Sequence, residues 1–566
     1  MASSEIEIVS DSTDQINLEQ AQNQSIVISD VFSASAYGDL SKLRKFVEED
    51  GASVSIPDGN GYYALQWASL NNFPDIAQYI IQHGGDVNAT DHMKQAALHW
   101  AAVRGSIAVA DVLLQNGAPV EASDINGYRA VHIAAQYGQT AFLNFIVAKF
   151  HAEFDVPDND GRSPLHWAAY KGFSDTVRLL LFRDASQERQ DKEGCTPLHW
   201  AAYQGNVEVC TVLVYAGTKE ELIVKDSSGL TPVQIASDKG HRNLTSFLHK
   251  AQHAQAISWK DRVFTGKMSF VGYAPILFFI VVITTLMFIT TILHAPNLPK
   301  VTAVVGLWGW TAVLISFGTV LMLIHCSRVG NGLGRFDKIQ TRNFSPNLVW
   351  LIMFSKDPGF IKSARGAGNF TDAEQDPLLN VDLNNPFISH QDWSQLCPTC
   401  KIIRPTRSKH CPVCKHCVEQ FDHHCPWISN CVGKRNKWDF FIFVFMGTSI
   451  AFLGAAVGFY RLWTSVPGLQ ADETWIYHVV VQHPGAVVFM FFDTTILISC
   501  FILLTAQLYQ ISRNITTNEL SNRLRYRYLQ GPDGRFHNPY DRGLLKNCSD
   551  FLIRGYTDDV IAHPPS

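Results

Sequence analysis

The sequence predicts a mainly α chain: a solenoid of helical repeats, followed by a four-helix transmembrane domain interrupted by a Cys-rich loop. Three observations carry this. A motif returns about every 33 residues across 31–255. Four apolar runs follow it. Between the second and third of these runs lie seven cysteines, from Cys397 to Cys431.

At 566 residues the chain is too long for a single core. Its hydrophobic content of 46% and a mean hydropathy near zero fit a polar half joined to a membrane half. A net charge of −5 is small for this length and argues against a nucleic-acid binder. Residues 1–30 are polar and acidic and read as a disordered tail, not a signal peptide. Cys195, Cys210, Cys326, Cys500 and Cys548 are scattered and form no disulfide framework. The paired CxxC units read as metal sites in a reducing compartment.

The repeats open at Asp58, Asp91, Asp124, Asp158, Asp191 and Asp226. A fixed position within them holds Gln66, His99, His132, His166, His199 and Gln234. The clearest copies run Asp158–Gly172 and Asp191–Gly205, each containing Pro-Leu-His-Trp-Ala-Ala-Tyr. A degenerate copy starts near Val31. This pattern resembles the ankyrin repeat, which implies a turn and two antiparallel helices per unit, with six or seven units. One histidine per repeat at a fixed position reads as a fold residue that ties the turn to the helix start, not as a catalytic group. The tryptophans read mainly as repeat core, and Trp100 is kept as a candidate contact for a bound peptide. Such a stack leaves a concave surface for partners.

Residues 256–271 form a basic linker. Spans are predicted at 272–294 and 303–325 (domain 272–325), and at 440–460 and 486–510 (domain 440–510), each long enough to cross a bilayer. Asp493 is the lone acid of the fourth span. The intervening loop, 326–439, contains fifteen Lys and Arg, whereas the other two loops carry one each, Lys300 and Arg461. Basic residues also precede the first span and follow the fourth. This bias predicts that the N-terminus, the Cys-rich loop and the C-terminal tail 511–566 all face the cytosol.

The Cys-rich segment, 397–436, holds Cys397, Cys400, His410, Cys411, Cys414, Cys417, His424, Cys425 and Cys431. Six cysteines and two histidines supply eight ligands, enough for two closed tetrahedral zinc sites, and spacing alone leaves their pairing open. Cys425 is then the remainder. It ends Asp422-His423-His424-Cys425, where an imidazole can take the thiol's proton and a carboxylate can orient the imidazole. A spare ligand or a redox thiol is the bland alternative.

These residues resemble the DHHC-type domain of protein S-acyltransferases (palmitoyltransferases), here of the ankyrin-bearing type. Asp357-Pro358-Gly359 after the second span, Thr516-Thr517-Asn518-Glu519 after the fourth, and Asn538 with Asn547 match the flanking motifs of that family. The resemblance implies two structural zinc ions with interleaved ligands. One set is Cys397, Cys400, His410 and Cys417; the other is Cys411, Cys414, His424 and Cys431. It also implies Cys425 as nucleophile, His423 as base and Asp422 as its orienter. The donor would be an acyl-CoA, typically palmitoyl-CoA, and the acceptors cysteines of proteins recruited by the repeats. Arg404, Arg407, Lys434 and Arg435 are candidates for the CoA phosphates. The implied location is an endomembrane, Golgi first and plasma membrane second. A non-enzymatic reading, an ankyrin-bearing scaffold or channel with a structural zinc loop, has no use for the spare thiol beside a base. A thiol-redox role would need the CxxC pairs free of metal.

Overall fold

The computed structural model describes residues 28–218, 220–256, 273–295, 298, 302–327, 356–361, 378, 393–465, 474–531, 533–556 and 559. The acidic tail up to residue 27, the linker beyond Ala256 and most of the loop before Trp393 lie outside the described residues. The chain forms two compact units.

The first is a stack of seven helix pairs. They are α1 (Val31–Tyr37) with α2 (Leu40–Arg44), α3 (Ala64–Leu70) with α4 (Pro74–Gln82), α5 (Ala97–Arg104) with α6 (Ile107–Gln115), and α7 (Ala130–Gln136) with α8 (Thr140–Phe150). Then come α9 (Pro164–Lys171) with α10 (Ser174–Phe182), α11 (Pro197–Gln204) with α12 (Val207–Ala216), and α13 (Pro232–Asp238) with α14 (Arg242–Ala256). The degenerate copy at Val31 forms a pair of its own, which makes seven units.

The repeated aspartate closes each turn. Oδ1 of Asp191 accepts from the amides of Glu193 (3.0 Å) and Cys195 (2.8 Å), and Oδ2 accepts from the Trp200 indole at 2.9 Å. The repeated histidine works in two directions. Nδ1 of His166 accepts from the Ser163 amide at 3.1 Å, while Nε2 faces the Cys195 carbonyl, 3.2 Å away in the next repeat. His99 and His132 repeat this arrangement. Burial pushes His166 down to about 4 and His132 down to about 3, so both stay neutral near pH 7. They stitch repeats together and do no proton chemistry. His166→Ala leaves the buried Ser163 amide unpaired and removes the link to the Cys195 carbonyl, a loss of about 1–3 kcal/mol. Hydrogen exchange on the full chain should show lost protection at Ser163 and across α9 to α12; unchanged protection there would count against the assignment.

Trp100 is half-buried. Its indole donates to Asp91 at 3.2 Å, and its ring packs 5.0 Å from Tyr62 and 5.5 Å from Trp67. It is a packing residue that keeps part of its ring exposed.

Among the described residues, the second unit contains four helices long and apolar enough to cross a membrane: Ala274–Leu293, Ala303–Cys326, Lys437–Thr464 and Pro484–Ser512. They fall where the apolar runs predict, with the third beginning three residues earlier and both later spans running longer. The last turns of the first span, Phe288–Leu293, widen into a π-helix. A short helix, Trp475–Gln482, precedes the fourth span and has no sequence-based counterpart. Helix contact relies on small residues: a Cβ on Gly458 would lie 2.5 Å from the Met490 sulfur. Arg461, read from the sequence as a loop charge, is buried in the last turn of the third span. Its guanidinium donates to the carbonyls of Ile292 and Leu293, which the helical ladder of the first span leaves unpaired.

Candidate active site and zinc centres

Three two-stranded antiparallel hairpins build the Cys-rich segment: β1 (Leu396–Cys397) with β2 (Ile402–Ile403), β3 (Lys409–Cys411) with β4 (His416–Val418), and β5 (His423–Cys425) with β6 (Asn430–Val432). Register sets His410 opposite Cys417 and His424 opposite Cys431. Two ligand groups result. Cys397, Cys400, His410 and Cys417 form one; Cys411, Cys414, His424 and Cys431 form the other, and in each the ligand atoms lie within 4.8 Å of one another. The interleaved pairing is therefore the one the fold makes.

In the second group Nδ1 of His424 lies 3.8, 3.5 and 3.6 Å from the sulfurs of Cys411, Cys414 and Cys431, and the sulfurs of Cys414 and Cys431 are 3.4 Å apart. Zinc's ligand distances draw a tetrahedron with edges of about 3.4–3.8 Å. The residues present fit a Cys3His zinc site closed to substrate. Four thiolate and imidazole ligands would leave no open position on the metal, which would then serve as a structural element of the hairpins.

Side chains alternate along a strand, so His424 faces its metal group while His423 and Cys425 share the opposite face of β5. Cys425 is 5% exposed and belongs to neither ligand group. It packs with Leu323 and Cys326 of the second span, Phe440 and Val444 of the third, and Ile428 and Val432 of its own hairpin. Leu277 and Phe278 of the first span and Leu504 of the fourth border the same cluster. All four spans thus contribute apolar side chains around the spare thiol.

His423 connects Cys425 to Asp422. Nδ1 of His423 lies 2.9 Å from Oδ2 of Asp422, and the ring is near enough to Cys425 for each group to shift the other's proton affinity. Asp422 is buried. Burial alone would push its carboxyl up, but Lys437, with Nζ 4.0 Å away, and the hydrogen-bonded His423 hold it well below the usual carboxylate range. Burial also works against a charged His423, yet the bonded Asp422 carboxylate and the neighbouring Cys425 raise it to about 9. The Cys425 thiol shows the same contest. Burial pushes it up, and the His423 contact, helped by the amides of Ile428 and Trp427, brings it below the ordinary thiol value. The arrangement favours a thiolate beside an imidazolium.

The flanking motifs are the supports of this triad. The Thr517 amide donates to Oδ1 of Asp422 at 2.5 Å, its hydroxyl to Oδ2 at 3.0 Å, and the Asn518 amide to the Asp422 carbonyl at 3.1 Å. Thr516 and Glu519 cap the short helix Thr517–Ser521 reciprocally. Asn538 and Asn547 donate to the carbonyls of Arg513 and Ser512 at the end of the fourth span. Asp357 accepts from the amides of Gly359 and Phe360, and Gly359 takes a φ of +103°, a backbone state that favours glycine. The Gly359 carbonyl then accepts from the Glu419 amide, and that of Pro358 from the Arg435 amide. Thr517→Val keeps the shape of the side chain but removes the hydroxyl donor to Asp422. Losing one such bond is worth about 1–3 kcal/mol, so turnover should fall by roughly 5- to 150-fold with unchanged zinc content.

Of the four candidates for CoA phosphates, Arg407 is corrected. It is buried, its guanidinium is bidentate on Glu519 at 2.8 and 3.0 Å, and it lies 4.5 Å over the Tyr540 ring. A cation so occupied is a strut between the Cys-rich segment and the helix that holds Asp422. Lys434 approaches Asp559 at 3.3 Å, Arg435 stays half-exposed near Asp357 and Glu419, and Arg404 is half-buried. Sequence reasoning missed Lys437, whose position at the first residue of the third span carries no motif.

Residues 390–523 match the DHHC palmitoyltransferase family, and 31–124, 120–191 and 182–258 match ankyrin repeats. "Probable protein S-acyltransferase 23" of Arabidopsis thaliana is 54% identical over 566 residues, the whole of both chains. "Palmitoyltransferase ZDHHC17" of Danio rerio is 28% identical over 204 residues, 35% of this chain and 31% of that one. Its Homo sapiens namesake is 27% identical over 213 residues, 35% and 30%. With a full-length relative at this identity and a Cys-His-Asp array beside two metal groups, the chain belongs to the DHHC palmitoyltransferase family and is an ankyrin-bearing protein S-acyltransferase.

Proposed function

We propose that the enzyme carries a long-chain acyl group from acyl-CoA to protein cysteines through a thioester on Cys425. The observation that supports this best is the placement of that thiol. It is excluded from both ligand groups, its proton affinity is lowered by His423, and it belongs to an apolar cluster to which all four spans contribute. Such a thiol meets a thioester carbonyl where the acyl chain can lie among apolar helices and the CoA can stay in water.

In the first step the Cys425 sulfur attacks the acyl carbonyl, the bond to the CoA sulfur breaks, and the leaving thiolate takes the proton held by His423. In the second, His423 takes a proton from the client's thiol. That sulfur attacks the acyl-enzyme carbonyl, and the bond to Cys425 breaks. Asp422 keeps the ring in orientation, and Thr517 keeps Asp422 in place. Lys434, Arg435 and Arg404 serve the CoA phosphates. Clients dock on the repeat stack, with the exposed part of Trp100 among the contacts. The Lys and Arg bias of the loops supports an orientation with both termini and the Cys-rich segment in the cytosol, in a multi-pass protein of the Golgi or plasma membrane.

Incubating the purified enzyme with an alkyne analogue of palmitoyl-CoA should give a hydroxylamine-labile adduct on the Cys425 peptide before any client is added. An adduct confined to other cysteines would overturn this reading.

A further inference from the structure

Asp559 is gripped by the Cys-rich segment. The helix Leu544–Arg554 ends at Gly555, whose φ of +79° is a left-handed turn. A Cβ on Gly555 would lie 3.6 Å from that of Trp438, in the first turn of the third span. Tyr556 follows, with Nζ of Lys434 5.3 Å from its ring centre. Asp559 then meets three donors. Its Oδ1 accepts from the Gln420 side-chain amide at 2.6 Å and from Nη1 of Arg407 at 3.3 Å. Its Oδ2 faces Nζ of Lys434 at 3.3 Å.

These donors frame the strand that carries the triad. Gln420 is buried two residues before Asp422. Arg407 is buried too, and its carbonyl accepts from the amide of Phe421, the residue between them. Lys434 stands two residues after Val432, which pairs with His423 and whose carbonyl accepts from the Asp422 amide at 2.9 Å. The same Arg407 guanidinium holds Glu519, whose short helix carries Thr517 to Asp422. One carboxylate, 139 residues beyond Gln420, thus ties together three points around Asp422. Its contacts with Arg407 and Lys434 are charge-assisted, the stronger kind of hydrogen bond.

We propose that Asp559 is a positioning residue for acyl transfer: it clasps the segment that carries Asp422 and His423 and so holds that pair in register with Cys425. The clasp rests on the thioester reading above. Asp559 touches neither thiol nor thioester, and it acts through Arg407, Gln420 and Lys434. A lysine ammonium has three donors, so its contact with Asp559 leaves Lys434 able to meet a CoA phosphate as well.

The test compares full-length wild type, Asp559→Asn and Asp559→Glu in nanodiscs, with palmitoyl-CoA as donor. Asp559→Asn keeps the shape of the side chain and removes its charge. Its kcat and its single-turnover rate of Cys425 acylation should fall by about 5- to 20-fold, with KM for palmitoyl-CoA within about twofold of wild type. Zinc content should equal that of wild type. Asp559→Glu keeps the carboxylate and should recover most of the lost rate. An unchanged kcat overturns the proposal. So does a lower KM with kcat kept, which would make Asp559 a competitor of CoA at Lys434. A rate loss that travels with zinc loss, or that Asp559→Glu does not relieve, overturns it too, since Asp559 would then serve only the fold. A wild-type enzyme that forms no adduct on Cys425 removes the thioester reading itself, and the clasp falls with it.

Discussion

Cys425→Ala should abolish acyl transfer while leaving the fold, both zinc ions and the client surface intact. The expectation rests on what the sulfur does not do. It ligates neither metal group, and its apolar neighbours tolerate a smaller side chain at the cost of a small cavity. What is lost is the only atom in the array able to form a thioester. Removing the nucleophile of a covalent mechanism costs on the order of 1,000-fold or more in turnover. Cys425→Ser should be nearly as inactive, because a hydroxyl is far less acidic than a thiol and His423 cannot ionise it to the same degree. His423→Ala should retain the sulfur but fall about 100- to 10,000-fold, since it removes proton transfer in both half-reactions. Acyl capture comparing membranes with wild-type and Cys425→Ala enzyme reads the outcome and names the clients at once. A Cys425→Ala enzyme that still carried label at the wild-type level would end the assignment.

How much of this was legible in the sequence differs by residue, and the differences have causes. The repeat histidines were legible as fold residues because periodicity already says that each sits in the same environment. The buried bonds of His166 to its own turn and to the next repeat are that environment. The eight ligands were legible from spacing, but their sorting was not, because it depends on hairpin register: His410 opposite Cys417 and His424 opposite Cys431. Arg407 was misjudged because a basic residue near a membrane face looks like a phosphate ligand. Its actual partner, Glu519, is 112 residues away, and no local pattern announces so distant an ion pair. Arg461 was misread for a similar reason. A charge at the end of a span reads as loop until the fold shows carbonyls of another helix ending beside it. Thr517 was found through its motif, yet its task of holding Asp422 appears only once the two segments are brought together.

The second large effect comes from the opposite face of β5. His424→Ala should cost the enzyme one zinc ion and its activity together, although His424 touches neither thioester nor client. Its Nδ1 supplies one corner of a tetrahedron whose other corners are Cys411, Cys414 and Cys431. With so little secondary structure in the segment, metal binding provides the folding free energy; structural zinc contributes on the order of 10–16 kcal/mol in small zinc modules. A broken site releases the β5–β6 hairpin, and with it the alternation that points His423 and Cys425 away from the metal and toward the spans. Two variants only one residue apart in sequence should therefore separate cleanly. Cys425→Ala keeps two zinc ions per chain, a native unfolding temperature and no activity. His424→Ala keeps about one zinc ion, unfolds at a lower temperature and also lacks activity. Elemental analysis of the two purified proteins beside wild type is decisive: a His424→Ala enzyme with both zinc ions and full acylation of Cys425 would remove His424 from the metal site.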